Sequence, residues 1–200
     1  MLRATDSKAA PSQAGNSLLG ETQDLPTGKH LSQMIKTMIF VDGSNLWWGL
    51  KYYNEQHTPQ VQLNYQKLLN VLLDNRYLVR AYYYHSHPVP IPERQQRFLD
   101  YVHASGFEMV GKPLKLRGQR SVEKGVDVAL ATDLLGFAWE NAFDVGVVVS
   151  GDSDLDGAVQ KVRSKGRRVE IVSFEQSLSP DLHKSDKLTI LDNIIDLVKM

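Results

Sequence analysis

The stretch that decides the fold is residues 145–154, which read Val145-Gly-Val-Val-Val149 and then Ser150-Gly-Asp-Ser-Asp154. An apolar run without polar alternation is typical of a strand that helices cover on both faces. The five residues after this run include one glycine, Gly151, and two carboxylates, Asp152 and Asp154. Because ligands of open α/β sheets bind beyond the carboxyl ends of the strands, this junction indicates both a fold class and the place to look for chemistry.

Short apolar runs alternate with amphipathic stretches on both sides of this strand. The runs predict strands at 38–41, 77–84, 107–110, 143–149 and 168–174, and the amphipathic stretches predict helices over 44–56, 64–74, 126–140 and 154–164, with one more opened by Pro92. We therefore expect an α/β fold, a three-layer sandwich with a mainly parallel central sheet.

The domain organisation follows from a change in composition near residue 37. Residues 1–36 contain Ser, Gln, Gly, Thr and Pro with scattered apolar side chains and no period, which predicts a flexible N-terminal tail. Residues 37–200 are expected to form a single domain that ends in a short helical segment.

Composition excludes several classes of function. The 200 residues contain no cysteine, which excludes disulfides, thiolate zinc sites, iron–sulfur clusters and thiol nucleophiles. Lys plus Arg and Asp plus Glu are 23 each, so a polyanion would have to be held by a local patch. No run approaches the roughly 18 apolar residues of a membrane span, and no secretory signal is present. We expect a soluble, cytoplasmic protein without a membrane partner.

The first acidic corner is Phe40-Val-Asp-Gly-Ser-Asn45, at the end of a predicted strand. Asp42 follows the strand directly, and the amide of Asn45 is positioned to orient a neighbouring carboxylate. An ordinary strand–turn–helix cap would use the same residue types. This corner alone therefore leaves structural and functional roles open.

The second corner places Asp152 and Asp154 between a strand and a helix. One carboxylate can cap the helix, but a cap explains only one of the two. Asp156 lies in the first helical turn, where an acid interacts favourably with the helix dipole, and we interpret it as structural.

The third corner is Lys124-Gly-Val-Asp127, at the start of an apolar helix. Asp133 lies six residues further on, about 240 degrees around the helix, and is therefore expected to be solvated or locally bonded. If the acids of the three corners converge, their repulsion is relieved by a cation, and oxygen ligands favour magnesium, manganese or calcium.

Taken together, the three motifs resemble the NYN domain, in the LabA-like branch of the PIN-like nuclease superfamily, over residues 37–175. The resemblance implies a PIN-like, Rossmann-like topology and the cleavage of RNA with magnesium or manganese. It also implies that the metal ligands are Asp42, Asp127, Asp152 and Asp154, with Asn45 as the accompanying catalytic amide. Asp133 falls where many members carry an acid.

The function that follows is hydrolysis of a phosphodiester bond by metal-activated water, most simply in single-stranded RNA. The alternative is a non-cleaving RNA-binding or regulatory scaffold that keeps the fold. Residues 112–124 carry five cations and one anion, which predicts phosphate contacts from a flexible basic loop. The predicted substrate-binding residues are Ser44, Ser150, Ser153, Lys115, Arg117, Arg120 and Lys124.

Aromatic residues crowd the helix after the first corner, where Trp47, Trp48 and Tyr52 cannot all face the core. Packing against a neighbouring helix, a homodimer contact and stacking on unpaired bases all remain open. Residues 82–84, three consecutive tyrosines, are expected in strand core. His85 and His87 follow them and could bind a transition metal only with a third ligand.

Overall fold

The structure, a computed structural model, describes residues 34–117, 120–122 and 124–200, and it describes no side chains for residues 116–123. The central sheet has six strands in the order β3-β2-β1-β6-β7-β8, and every neighbouring pair is parallel. These strands are β1 (Lys36–Asp42), β2 (Tyr77–His87), β3 (Glu108–Pro113), β6 (Val145–Val149), β7 (Arg168–Ser173) and β8 (Lys187–Ile190).

Helices cover both faces of this sheet, which confirms the three-layer α/β sandwich. The helices of the described residues are α1 (Gly43–Gln56), α2 (Tyr65–Leu73), α3 (Glu93–Ala104), α4 (Val126–Trp139), α5 (Asp156–Ser164) and α6 (Ile195–Val198). Single 3₁₀ turns occur at Ser153–Leu155, Glu175–Ser177, Pro180–Lys184 and Leu191–Ile194.

Strand periodicity divides the core into two hydrophobic clusters. Ile39 and Val41 of β1 face the cluster that includes residues of α1, α2, α3 and α6. Met38 and Phe40 face the other cluster, which includes residues of α4 and α5. All four side chains are at most 1% exposed, so β1 is buried on both faces, as its continuous apolar sequence predicts.

The topology fixes where a ligand can bind. β1 pairs with β2 on one side and with β6 on the other. From β1, the strands β2 and β3 extend the sheet in one direction, and β6, β7 and β8 extend it in the opposite direction. At their carboxyl ends, Val41 pairs with Val149, and Asp42 pairs with Tyr84. The first and second acidic corners therefore leave the sheet side by side, at a topological switch point.

Two regions differ from the sequence-based expectation. The predicted flexible basic loop contains two short antiparallel strands, β4 (Lys115–Arg117) and β5 (Arg120–Val122), so its backbone pairs with itself. The C-terminal segment contributes β8 as well as helical turns. β8 has only four residues, with none fully buried, and such a short edge strand leaves little hydrophobic signal.

Among the described residues, no helix combines the length and the apolar character that crossing a membrane requires. The proposed tail, residues 1–36, lies outside the described part of the chain except for residues 34–36.

Candidate active site at the carboxyl ends of β1 and β6

Asp42 is a buried carboxylate at the start of α1, with only 7% of its surface exposed. Its Oδ1 accepts hydrogen bonds from the backbone N–H groups of Ser44 (3.1 Å) and Asn45 (3.0 Å) and from the Ser44 hydroxyl (3.0 Å). These are the donors that a helix N-terminus leaves free, so the sequence folds here as a cap. The cap holds the carboxylate in one orientation.

Ser150 joins the first corner to the second. Its hydroxyl donates to Asp42 Oδ2 at 3.1 Å and accepts from the backbone N–H of Asp152 at 3.2 Å. Asn45 makes a second connection, because its side-chain oxygen accepts from the backbone N–H of Gly151 at 3.0 Å. Two motifs more than 100 residues apart are thus held together by side-chain hydrogen bonds.

Gly151 allows the turn after β6 to approach the next loop. A Cβ at this position would lie 1.9 Å from the carbonyl oxygen of Ser177 and 2.6 Å from Ser173 Oγ. The Gly151 carbonyl also accepts from the Ser179 N–H at 2.8 Å. Only glycine fits here without a backbone shift, so the position of the second corner depends on this residue.

The other predicted ligands differ from Asp42 in their exposure. Asp152 is half-buried, and its Oδ1 accepts from the Asp154 N–H at 3.0 Å. Asp154 and Asp127 are both exposed. Within the described part of the chain, no three His, Asp or Glu side chains are grouped so that they could hold a metal ion. The structure therefore does not bring all four predicted carboxylates together in one centre.

The residues present nevertheless fit a hard divalent cation. None of the ion pairs among the described residues includes Asp42, although a buried carboxylate normally has a cationic partner. Magnesium is usually held by one or two carboxylates, with water and phosphate oxygens completing its shell. Asp42 and the neighbouring Asp152 supply such a pair of oxygen donors.

Tyr83 forms the wall beside Asp42. Its side chain is 3% exposed. Burial raises the pKa of Tyr83 well above its usual value, and the neighbouring Tyr65 and the negative charge of Asp42 raise it further. The phenol is therefore neutral at physiological pH, and it limits the access of water to the carboxylate from this side.

The predicted substrate-binding residues differ in how exposed their side chains are. Ser150 is 1% exposed, and its hydroxyl is bonded within the corner, while its contact with substrate stays a prediction. Ser44 is partly exposed but bonded to Asp42. The side chains of Ser153, Lys115 and Lys124 are exposed. The side chains of Arg117 and Arg120 lie outside the described residues.

Asp133 and Asp156 each bond to a neighbouring side chain. The Tyr84 hydroxyl donates to Asp133 Oδ2 at 2.9 Å. Burial raises the pKa of Tyr84 far above its usual value, and the bond to Asp133 adds to this effect. Asp156 accepts from Gln160 at 3.1 Å within α5. Asp156 thus has the local contact predicted for it, whereas Asp133 bonds to β2, 49 positions earlier in the chain, rather than locally.

A groove next to the acidic corner was not predicted from the sequence. It has a volume of about 840 Å³, and Gly43 and Ser44 form part of its lining. Its other walls come from α3, from the end of β2 and from the segment before α2, which are distant in sequence. The exposed Trp47 and Trp48 were the only signal for it in the sequence, since aromatic residues on the outer face of a helix require an explanation.

Three comparisons with known proteins bear on the family and the fold of this chain. The family model described as the NYN domain matches residues 36–192. The chain is 27% identical over 168 residues to the low amplitude and bright protein LabA of Synechococcus elongatus, covering 80% of this chain and 82% of that protein. A crystal structure of a protein of unknown function from Vibrio parahaemolyticus matches with a TM-score of 0.67 and 21% identity, covering 84% of this chain and 97% of that one.

Proposed function

Since the chain belongs to the NYN domain family of PIN-like nucleases, we propose that it is a metal-dependent ribonuclease that hydrolyses phosphodiester bonds. The observation that carries the proposal is the environment of Asp42. This buried carboxylate lies at the switch point of the sheet, accepts from neutral donors only among the described residues, and is joined through Ser150 to the corner that carries Asp152. A purely structural carboxylate at 7% exposure would be expected to pair with a cation of the chain.

Magnesium or manganese is the proposed cofactor, with Asp42 and Asp152 as its protein ligands and Asp127 and Asp154 as the further predicted ones. When bound, such an ion would polarise the phosphate and lower the pKa of a water molecule. Two carboxylates suffice for magnesium, which keeps several waters in its coordination shell.

The surrounding residues have distinct proposed roles. Ser44 and Asn45 donate to Asp42 Oδ1, which leaves Oδ2 with a single donor, the Ser150 hydroxyl. Asn45 also holds Gly151, so its side chain fixes the distance between the two corners. We propose Asn45 as a positioning residue for both carboxylates.

The β4–β5 hairpin is the proposed contact for substrate phosphates. The backbone N–H of Leu114 donates to the His87 carbonyl at 2.8 Å, which places the start of the hairpin beyond the carboxyl end of β2. Lys115 is exposed at this start, and Lys124 is exposed just before α4. With Arg117 and Arg120 they would offset the repulsion between the acidic corner and RNA.

The test is a time course of labelled single-stranded RNA with manganese, magnesium or EDTA, for the wild type and the Asp42→Asn/Asp152→Asn double variant. We expect both EDTA and the double variant to abolish cleavage. Asp156→Asn is the matched control, because it removes a carboxylate next to the second corner that, among the residues described, bonds to Gln160 of its own helix alone. Equal cleavage by wild type and double variant would identify a contaminating ribonuclease. RNA binding without cleavage by any variant would favour the scaffold instead.

A further inference from the structure

We propose that the groove between α1 and α3 binds the bases of single-stranded RNA and so restricts the enzyme to unpaired substrate. This inference rests on the proposed function, because it names the substrate class of the same site. Gly43 and Ser44 line the groove and also form the turn that holds Asp42. A strand whose bases lie in the groove would therefore have its backbone next to the acidic corner.

Exposed aromatic rings suited to base stacking surround the groove. Trp47 and Trp48 are 53% and 46% exposed, and their ring centroids lie 4.6 Å apart in an edge-to-face arrangement. Phe98 of α3 is 38% exposed on the opposite wall, where Tyr65 supports it edge to face at 5.7 Å. Stacking on such rings is favourable for every base and requires the base to be unpaired.

The charges around the groove favour an anionic ligand. Lys51 places its Nζ 4.7 Å from the centroid of Trp48 and 5.6 Å from that of Trp47. The same Nζ lies 3.9 Å from Glu55 in an exposed ion pair, which costs little to exchange for a phosphate. Arg94 is exposed in the lining of the opposite wall. Among the described residues that line the groove there is no Asp or Glu, although the chain has as many acids as bases. Cations beside stacked aromatic rings are typical of surfaces that bind single strands.

Charge complementarity therefore selects RNA over a second copy of this chain as the occupant. A second copy carries no net charge as a whole, with 23 basic and 23 acidic residues. A polynucleotide presents one phosphate per base, which matches cations on the rim and apolar rings inside.

The chain contains a matched control in Trp139. This residue is 47% exposed at the end of α4, and Lys165 lies 5.3 Å from its ring centroid, so it shares with Trp48 a similar exposure and a nearby lysine. The segment that follows Trp139 contacts the amino-terminal ends of the strands, away from the groove. There the Asn141 carbonyl accepts a hydrogen bond from Lys36 Nζ at the start of β1. A general effect of losing an exposed tryptophan can therefore be separated from an effect on the groove.

The experiment measures binding of a labelled ten-nucleotide oligouridine by fluorescence anisotropy in EDTA, where cleavage does not interfere. We expect the Trp47→Ala/Trp48→Ala variant to lose affinity by about tenfold or more, because stacking one base contributes at least that order of affinity. Trp139→Ala should leave affinity unchanged. An abasic phosphodiester strand of equal length and a duplex should both bind the wild type more weakly. In a Trp139→Phe background, oligouridine should quench the fluorescence of the two groove tryptophans.

Three outcomes would overturn the proposal. One is equal affinity of the wild type for oligouridine and the abasic strand. Another is unchanged affinity in a Trp47→Ala/Trp48→Ala variant whose circular dichroism shows that it is folded. The third is a wild type that sediments as a dimer and a Trp47→Ala/Trp48→Ala variant that sediments as a monomer but retains its RNA affinity. That result would assign the groove to a second copy of the chain. If the wild type binds RNA through its bases but does not cleave it under any condition, the binding groove is supported and only the proposed nuclease activity is contradicted.

Discussion

Two buried carboxylates, Asp42 and Glu170, have opposite environments. Glu170 of β7 is 5% exposed, and both of its oxygens accept from the guanidinium of Arg76, at 2.9 and 3.1 Å. Asp42 is 7% exposed, and among the described residues it accepts only from neutral backbone and hydroxyl groups. Within the part of the chain that the structure describes, Glu170 thus has a counter-ion and Asp42 has none.

This difference separates a carboxylate used for folding from one available to a ligand. A bidentate guanidinium occupies both oxygens and compensates the loss of hydration on burial. Neutral donors orient a carboxylate but leave its charge in place, and that charge attracts a cation from solution. Four variants test whether this distinction is correct.

The largest effect is expected for Arg76→Ala. Removing the guanidinium leaves Glu170 buried without its main partner, which destabilises a protein by about 3–5 kcal/mol. Denaturant unfolding monitored by circular dichroism measures the loss. The control is Arg80→Ala, because Arg80 and Glu108 form a pair at 2.9 Å with both side chains about half exposed. That variant should change the unfolding free energy by less than about 1 kcal/mol. Equal losses in the two variants would contradict the structural role of Glu170.

Asp42→Asn should have the opposite effect to Arg76→Ala: it should weaken metal binding and leave the stability of the metal-free fold nearly unchanged. Asparagine keeps an oxygen for Ser44 and Asn45, so we expect the unfolding free energy without metal to change by about 1 kcal/mol or less. Manganese at a hundred times its dissociation constant should stabilise the wild type by about 2.7 kcal/mol, and the variant should lose this gain. Thermal unfolding with manganese or EDTA measures both quantities. A variant that unfolds several kcal/mol more easily in EDTA would make Asp42 structural, like Glu170.

Gly151→Ala tests whether the Asp42 corner depends on the turn after β6. The added Cβ would contact the Ser177 carbonyl, so the turn must move, and we expect a loss of about 1–3 kcal/mol together with reduced RNA cleavage. Gly157→Ala in α5 is the control, since a Cβ there meets nothing within 4 Å. Alanine is the better helix former by about 1 kcal/mol, so this variant should be slightly more stable. Denaturant unfolding and cleavage rates are the measurements. Full cleavage activity in Gly151→Ala would show that the site does not depend on the position of this turn.

The smallest effect concerns Asp186, an exposed carboxylate that pairs with Arg163. Burial tends to raise its pKa, but the hydrogen bonds from Arg163 and the Val169 N–H outweigh burial, so the pKa lies below the usual value. The charged form therefore stabilises the fold above pH about 4, and this stabilisation is lost as the pH falls through the lowered pKa. Asp186→Asn should reduce the unfolding free energy by about 1 kcal/mol at pH 7 and by less at pH 3. An equal difference at both pH values would exclude the charge as the cause.

Much of the fold and part of the site could be predicted from the sequence, for identifiable physical reasons. The run before Ser150 is continuously apolar because helices cover both faces of β6. Asp42 and Asp152 were predicted as site residues because they stand at, or just after, the end of such a run. The sequence could not show that Ser150 is buried, because its hydroxyl bonds to a residue 108 positions away. The groove was missed for the same reason, since its walls come from separate elements that only the tertiary fold brings together.

The bond between Ser150 and Asp42 has a consequence for the synthesis of the protein. β6 lies between β1 and β7 in the sheet but follows β1, β2 and β3 along the chain. A nascent chain that has emerged only as far as α4 carries Asp42 but lacks Ser150 and Asp152. The corner therefore assembles late in translation, when β6 pairs with β1. A growing polypeptide that is still close to its own messenger RNA does not yet have the completed site.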